Sequence, residues 1–238
     1  MSDFMYSKSP VLQTALKNLL EKSAQSGRFK EASEIEARRL YEAEKKELEN
    51  KKALAEIPER YLNSSFENFN IPNIDLEAFK QIKEFASRIN AKIFNGFKKN
   101  ETCVILGGNG SGKTHLGISV LNAINYNGLY IQSGILCMRL IRARAFKAVK
   151  DEEIIIKEIA SKRFLIIDEI GRARDVETET HALYDIINLR YEKRLDTCLI
   201  SNKDRFDLQD YLGSAVVDRI AENCFFAQLK SPSYRRKK

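Results

Sequence analysis

The chain has 238 residues, of which 43% are hydrophobic and 31% charged, a composition typical of a globular protein with one large domain or a domain plus a smaller module. No apolar run approaches the roughly 20 residues of a membrane span, and the N-terminus lacks the basic region and apolar core of a secretory signal. The four cysteines form no C-x-x-C pair and the net charge is +7, so we expect a cytoplasmic protein with reduced thiols that is compatible with nucleic-acid contact.

The first 57 residues are predicted to form a small, all-helical module. Apolar residues recur at helical spacing through 11–25, which predicts one apolar stripe that ends at Gly27. Residues 28–56 are helix-forming and highly charged, so they bury little apolar surface alone. The stripe therefore either packs against 28–56 in a self-contained hairpin or docks on a partner, which is the interpretation that we favour. The expected anchors on that partner are Leu12, Leu16 and Leu19.

From residue 62 to residue 238, strands are predicted to alternate with helices after a first helix over 76–94. Such alternation predicts a parallel sheet covered on both faces, here a three-layer αβα sandwich with five strands. The predicted strands are 103–107, 129–133, 163–168, 197–201 and 224–228. The predicted helices that follow are 112–125, 135–149, 152–161, 177–194 and 214–222.

A glycine-rich loop lies between the first predicted strand and the next helix. It matches the pattern G-x-x-x-x-G-K-[ST] in full, and its strand–loop–helix context favours a phosphate-binding loop over a chance turn. Backbone N–H groups of such a loop turn towards a polyphosphate, and the helix N-terminus adds partial positive charge. Lys113 is thus predicted to reach the β- and γ-phosphates of ATP, and Thr114 to hold Mg²⁺. The residues expected to bind the nucleotide are Gly107, Gly108, Asn109, Gly110, Ser111, Gly112, Lys113, Thr114 and His115.

Polar residues follow the third and fourth predicted strands. Because strand ends on one edge of a parallel sheet converge on the ligand crevice, Asp168 is predicted to hold Mg²⁺ through water and Glu169 to act as general base on the attacking water. The alternative is a strand that merely stops at charged residues. Asn202 ends the next strand and is predicted to orient the lytic water, although asparagine in that position is also a common turn residue.

Several further stretches form a combination that is specific in its details. They are residues 65–69, 186–188, 201–202, 212–213, 218–220 and 233–235. Together with the two nucleotide motifs, they make the chain resemble the bacterial replicative helicase loaders of the DnaC type, which are AAA+ ATPases, from about residue 64 to 235. The loop at 171–176 is longer than this resemblance leads us to expect.

The resemblance implies an ATPase that binds the hexameric replicative DNA helicase through its N-terminal module and delivers it onto single-stranded DNA. It implies self-assembly into an ATP-dependent spiral. Arg219 resembles the arginine finger that acts in the next subunit, and Arg235 resembles the sensor-2 arginine, here without the usual C-terminal lid. An arginine supplied in trans makes hydrolysis depend on assembly, because the developing charge is neutralised only at the subunit interface.

DNA contacts are expected on the helix after the second strand and on the loop after the third. The alternatives to DNA contact are that the basic residues form a solvated face and that Phe146 packs in the core. The expected DNA residues are Arg142, Arg144, Phe146, Lys147 and Thr180. Three other functions fit parts of the pattern: a transposase-associated AAA+ ATPase of the IstB type, a P-loop kinase of a small molecule, and a DNA-binding scaffold with a degenerate ATP site.

Overall fold

The computed structural model describes residues 27–95, 99–145 and 149–234 of the chain. The backbone divides into two units, Met1–Ala53 and Leu54–Lys238. Within the described ranges, no helix is both long enough and apolar enough to cross a membrane.

A long charged helix, α1 (Gly27–Leu54), accounts for the described part of the first unit. Its side chains include opposite charges one turn apart, such as Lys51 and Glu47, whose charged atoms lie 2.6 Å apart. The prediction of a helical N-terminal region is thereby confirmed for these residues. The anchors predicted for a partner, Leu12, Leu16 and Leu19, lie outside the described residues.

A five-stranded parallel sheet forms the centre of the second unit, in the order β2-β3-β4-β1-β5. The strands are β1 (Thr102–Gly107), β2 (Leu129–Gln132), β3 (Phe164–Ile170), β4 (Asp196–Ser201) and β5 (Cys224–Leu229). The helices are α2 (Leu76–Asn95), α3 (Lys113–Ala123), α4 (Ser133–Ala145), α5 (Val149–Ala160), α6 (Val176–Glu192), α7 (Arg205–Leu212) and α8 (Ser214–Ala221).

Both faces of the sheet are covered by helices, and the central strands β1 and β4 are buried at every position. On one face, Val104, Ile167 and Leu199 pack in a core cluster that also contains residues of α4, α5, α6, α7 and α8. On the other face, α2 and α3 pack together, and Gly117 of α3 lies directly over Ile200. The predicted three-layer αβα fold is confirmed.

The sequence prediction differs from the structure at two places that matter for the site. Strand β3 extends to Ile170 rather than 168, with an irregular register between Ile167 and Ile170. Helix α7 was not predicted, because its apolar residues do not lie on one face: Leu208 and Leu212 are buried, whereas Phe206 is exposed. The start of this helix is nevertheless signalled in the sequence by Asp204, whose side chain caps the helix by accepting a bond from the N–H of Asp207 at 2.8 Å.

Candidate nucleotide-binding site

Strand order brings three loops together at one edge of the sheet. Strand β4 lies between β1 and β3, so the segments that follow these strands are neighbours at their carboxyl ends. They enclose a cleft of about 360 Å³. Its lining includes Lys113, Thr114, Asp168, Glu169 and Asn202.

The phosphate loop makes a tight turn at a position that requires glycine. Gly112 has a φ of +95°, a left-handed conformation that glycine adopts without the steric penalty of other residues. A Cβ atom added at Gly112 would lie 2.5 Å from Cε2 of Phe69, so the ring leaves no room for a side chain. The backbone of the loop is therefore in close contact with the segment that carries Phe69.

Lys113 is the first residue of α3, and its ammonium group lies against the phosphate loop. Nζ donates to the carbonyl oxygens of Gly107 at 2.8 Å and Gly108 at 2.7 Å, and the side chain is buried. The next side chain, Thr114, donates from Oγ1 to Oδ2 of Asp168 at 2.7 Å. The start of α3 thus places a cation against the loop, and the Thr114 hydrogen bond connects α3 to the end of β3.

A β-bulge separates the two carboxylates at the end of β3. Glu169 has a φ of +59°, which is uncommon for a residue with a side chain and fits a bulge that redirects the strand. Its N–H donates to Oδ1 of Asp168 at 2.7 Å, and its carbonyl accepts from Oγ of Ser133 at 3.0 Å. As a result Asp168 stays buried, whereas the Glu169 carboxylate is partly exposed in the cleft.

Tyr130 is a residue of this site that sequence reasoning did not identify. From β2, its hydroxyl donates to Oδ2 of Asp168 at 2.9 Å, the same oxygen that Thr114 contacts. Burial and the charge of Asp168 raise the pKa of Tyr130, so the phenol remains a donor at neutral pH. A tyrosine within an apolar strand gives no sequence signal that separates it from an ordinary core residue.

Asn202 and Asn109 join the end of β4 to the phosphate loop. Nδ2 of Asn202 donates to Oδ1 of Asn109 at 2.9 Å, and both side chains line the cleft. Asn202 therefore lies beside the phosphate loop, at the end of the strand that pairs with both β1 and β3. An amide at that place can donate to a phosphate oxygen or orient a water molecule.

One wall of the cleft comes from segments that precede α2 and follow β5. Tyr234 donates from its hydroxyl to the carbonyl of Asn70 at 2.7 Å and from its N–H to the carbonyl of Gly110 at 3.0 Å. Phe69 lies between Tyr234 and His115, at ring-centre distances of 5.8 Å and 5.2 Å. These aromatic residues pack together and hold this wall of the cleft against the phosphate loop.

Comparison with known proteins assigns the chain to a family. The family model described as IstB-like ATP binding protein matches residues 11–238. The chain belongs to this family. The description of the family supports nucleotide binding by this chain.

Two curated relatives of the chain carry different functional names. Over 190 residues it is 29% identical to the replicative helicase loader DnaC of Buchnera aphidicola subsp. Baizongia pistaciae, covering 76% of this chain and 73% of the relative. Over 148 residues it is 28% identical to the insertion sequence IS21 putative ATP-binding protein of Pseudomonas aeruginosa, covering 59% and 54%. Among solved structures, a crystal structure of the DnaC helicase loader superimposes with a TM-score of 0.60 at 23% identity, covering 73% of this chain and 100% of that one. The last comparison supports the fold.

Arg219 lies outside the cleft in this member of the IstB-like family. On α8, its guanidinium donates to Oδ1 of Asn188 at 2.6 Å and to the carbonyl of Ala215 at 2.7 Å, and it lies 5.2 Å from the ring centre of Tyr184. The structure therefore does not bring Arg219 together with the phosphate loop of its own chain. Arg235 lies outside the described residues.

The residues predicted to contact DNA differ in the contacts that their side chains make within the protein. Arg144 forms a bidentate ion pair with Glu152, at 2.8 and 2.6 Å, and donates to Thr178 at 2.8 Å, so it links α4, α5 and α6. Arg142 is exposed on α4, and Thr180 bonds to carbonyls of its own helix. Phe146 and Lys147 lie outside the described residues. All five assignments stay predictions.

A buried carboxylate organises the loop that follows β3. Glu179 of α6 is fully buried and accepts from the N–H groups of Gly171 at 2.9 Å and Ala173 at 3.3 Å, and from the hydroxyl of Tyr211. Between these anchors lies Arg172, whose guanidinium is 3.7 Å from the carboxylate of Glu169. Sequence reasoning missed Glu179, because glutamate in the first turn of a helix is ordinarily exposed.

Proposed function

We propose that this protein is an ATPase of the cytoplasm that loads a hexameric replicative helicase onto single-stranded DNA. The observation that carries the proposal is the convergence of Lys113, Thr114, Asp168, Glu169 and Asn202 on one cleft. The relative from Buchnera aphidicola named as a replicative helicase loader supports the choice among functions of this fold.

The residues of the cleft fit a magnesium–nucleotide complex. The loop supplies backbone N–H groups and the Lys113 ammonium for phosphate oxygens. Thr114 and Asp168 are already adjacent. Thr114 would supply an oxygen atom to Mg²⁺ directly and Asp168 would hold the ion through water, and oxygen atoms are the ligands that Mg²⁺ prefers. Bound there, Mg²⁺ would neutralise charge on the phosphates.

Hydrolysis requires groups that act on water and on the developing charge. Glu169 extends into the cleft from its bulge and is the proposed base that accepts the proton of the attacking water. Asn202 is proposed to orient that water. Because Arg219 lies away from the cleft of its own chain, we propose that it completes the site of a neighbouring subunit in a spiral assembly.

The remaining parts of the proposal concern partners. Residues 1–57 are proposed to bind the helicase ring, and the assembled residues 62–238 to hold single-stranded DNA. Exposed Arg142 offers charge to a phosphate backbone, which predicts DNA affinity that falls steeply with salt. Nucleotide binding would support the complex with the helicase, and hydrolysis would help to release the helicase from that complex.

A second function is favoured by the family description and by the Pseudomonas aeruginosa relative. In that case the same ATPase would serve a transposase. Tagged protein should be incubated separately with the host's replicative helicase and with the transposase of an IS21-type element, with ATP present. Retention of the helicase alone supports the loader, and retention of the transposase alone supports the second function.

The same experiment tests the proposed N-terminal anchors. Leu16→Asp places a charge in the apolar stripe, whereas the control Asn18→Asp adds the same charge away from it. We expect Leu16→Asp alone to abolish helicase retention with unchanged helicity. If Leu16→Asp retains the helicase, this stripe is not the docking surface.

A further inference from the structure

The carboxylate of Asp168 is held by two side-chain hydroxyls on the same oxygen. Thr114 donates to Oδ2 at 2.7 Å and Tyr130 donates to Oδ2 at 2.9 Å, while Oδ1 accepts from the N–H of Glu169 at 2.7 Å. Asp168 is only 2% exposed, so these contacts fix its orientation.

Tyr130 reaches Asp168 because of the register between β2 and β3. Tyr130 pairs with Ile166, and the following pairs along the strands bring Gln132 opposite Asp168. Residues two apart on a strand share a face, so the Tyr130 ring extends diagonally towards Asp168. The N–H of Tyr130 donates to the carbonyl of Ala55 at 2.9 Å, which fixes the main chain as well.

The two hydroxyls have different parts in the proposed function. Thr114 is itself a proposed ligand of Mg²⁺, whereas Tyr130 contacts Asp168 without being one. Groups that bond to metal-holding carboxylates orient them, and removing such a group typically lowers metal affinity by about 10–100-fold.

We propose that Tyr130 is a positioning residue that orients Asp168 and thereby sets the affinity of the cleft for Mg²⁺ in the presence of nucleotide. This inference rests on the proposed function, namely that the cleft binds ATP together with Mg²⁺. It assigns a role to one hydroxyl group, so the isosteric variant Tyr130→Phe tests it directly.

The experiment measures binding of a fluorescent ATP analogue to the full chain, first in EDTA and then across a titration with MgCl₂. For Tyr130→Phe we expect a magnesium midpoint raised by about 10–100-fold, with nucleotide affinity in EDTA unchanged. The matched control is Tyr126→Phe, which removes the hydroxyl of another buried tyrosine, one whose partner is Asn122. The control should leave the magnesium midpoint at the wild-type value.

A double variant adds a readout that a structural role would not produce. In an Asp168→Asn background, Tyr130→Phe should cause little further change in the magnesium midpoint, because its effect acts through Asp168. Equal midpoints for Tyr130→Phe and wild type would overturn the inference. So would a general loss, in which thermal stability and nucleotide affinity fall equally with and without Mg²⁺.

The failure of the proposed function would look different. If nucleotide binding by the wild-type chain did not depend on Mg²⁺, or if no nucleotide bound, the proposed magnesium–ATP site would be wrong. The role of Tyr130 would fall with it. If the magnesium midpoint of Tyr130→Phe equals that of the wild type, only the inference about Tyr130 is overturned.

Discussion

Asp75 and Lys230 lie 155 residues apart in the chain, yet the N–H of Lys230 donates to Oδ1 of Asp75 at 2.7 Å. The other carboxylate oxygen accepts from the N–H of Ser231 at 3.3 Å, and Asp75 is fully buried. The contact fastens the segment after β5, which carries Tyr234 onto the phosphate loop. One carboxylate outside the nucleotide motifs thus anchors the segment that forms a wall of the cleft.

Replacing Asp75 with asparagine should destabilise the protein and weaken nucleotide binding. The amide can accept fewer bonds, so buried N–H groups lose a charged acceptor, a loss of about 1.5–3 kcal/mol. Urea unfolding at neutral pH measures the change, with Glu77→Gln as control because Glu77 is exposed nearby. We expect the control to stay within about 0.5 kcal/mol of wild type. Equal stability of the two variants would show that the Asp75 contact contributes nothing.

Glu179 should matter more than Tyr211 for the loop after β3. Gly171 and Ala173 donate to different oxygens of Glu179, so Glu179→Gln removes the charge and turns an N–H₂ group towards one of these two N–H groups. We therefore expect a loss of about 1–3 kcal/mol. Tyr211→Phe removes one donor and leaves the two backbone bonds, so its loss should be smaller. Denaturant unfolding gives both values. A larger loss for Tyr211→Phe would contradict this ranking.

The glycines of the phosphate loop should differ in their tolerance of alanine. Gly112→Ala forces a Cβ into the ring of Phe69 and strains a left-handed residue, so nucleotide binding should be lost and stability lowered. At Gly108, by contrast, an added Cβ meets nothing within 4 Å, so Gly108→Ala should keep wild-type stability. Thermal unfolding of both variants, with and without ATP, makes the comparison. Loss of stability in Gly108→Ala would contradict the geometry of the loop.

Arg219→Ala should leave ATP binding near the wild-type value and reduce hydrolysis by roughly 10²–10⁵-fold. If the residue acts in the neighbouring subunit, mixing this variant with Lys113→Ala subunits should restore part of the activity, because mixed interfaces pair an intact site with an intact arginine. Phosphate release across a range of mixing ratios is the measurement. The absence of recovery at every ratio would instead indicate a role within one chain.

The fold could be predicted because its signals are local. The strands β1, β3 and β4 each contain a short apolar run, at 103–106, 164–167 and 198–200, and the phosphate loop between β1 and α3 is a contiguous motif. Strand order and register are not local, so the sequence did not reveal that β4 lies between β1 and β3 or that Tyr130 meets Asp168.

The missed parts of the site share the same physical reason. Asp75 and Glu179 act through main-chain N–H groups of distant or turning segments, and such bonds depend on backbone positions that a pattern of side chains does not encode. The left-handed conformation of Glu169 is a further example, since no residue pattern signals that β3 continues past Asp168 through a bulge to Ile170. The structure places Glu169 in the lining of the cleft, and its role as general base stays a prediction.

The most direct test of the loader is the transfer of a hexameric replicative helicase onto closed circular single-stranded DNA, measured by co-isolation of helicase with the circle. With ATP, the wild-type chain should increase helicase retention well above that of helicase alone. Lys113→Ala should give no increase, because it removes the cation from the phosphate loop. Helicase retention that is the same with the wild-type chain, with Lys113→Ala and with no added protein would contradict the account.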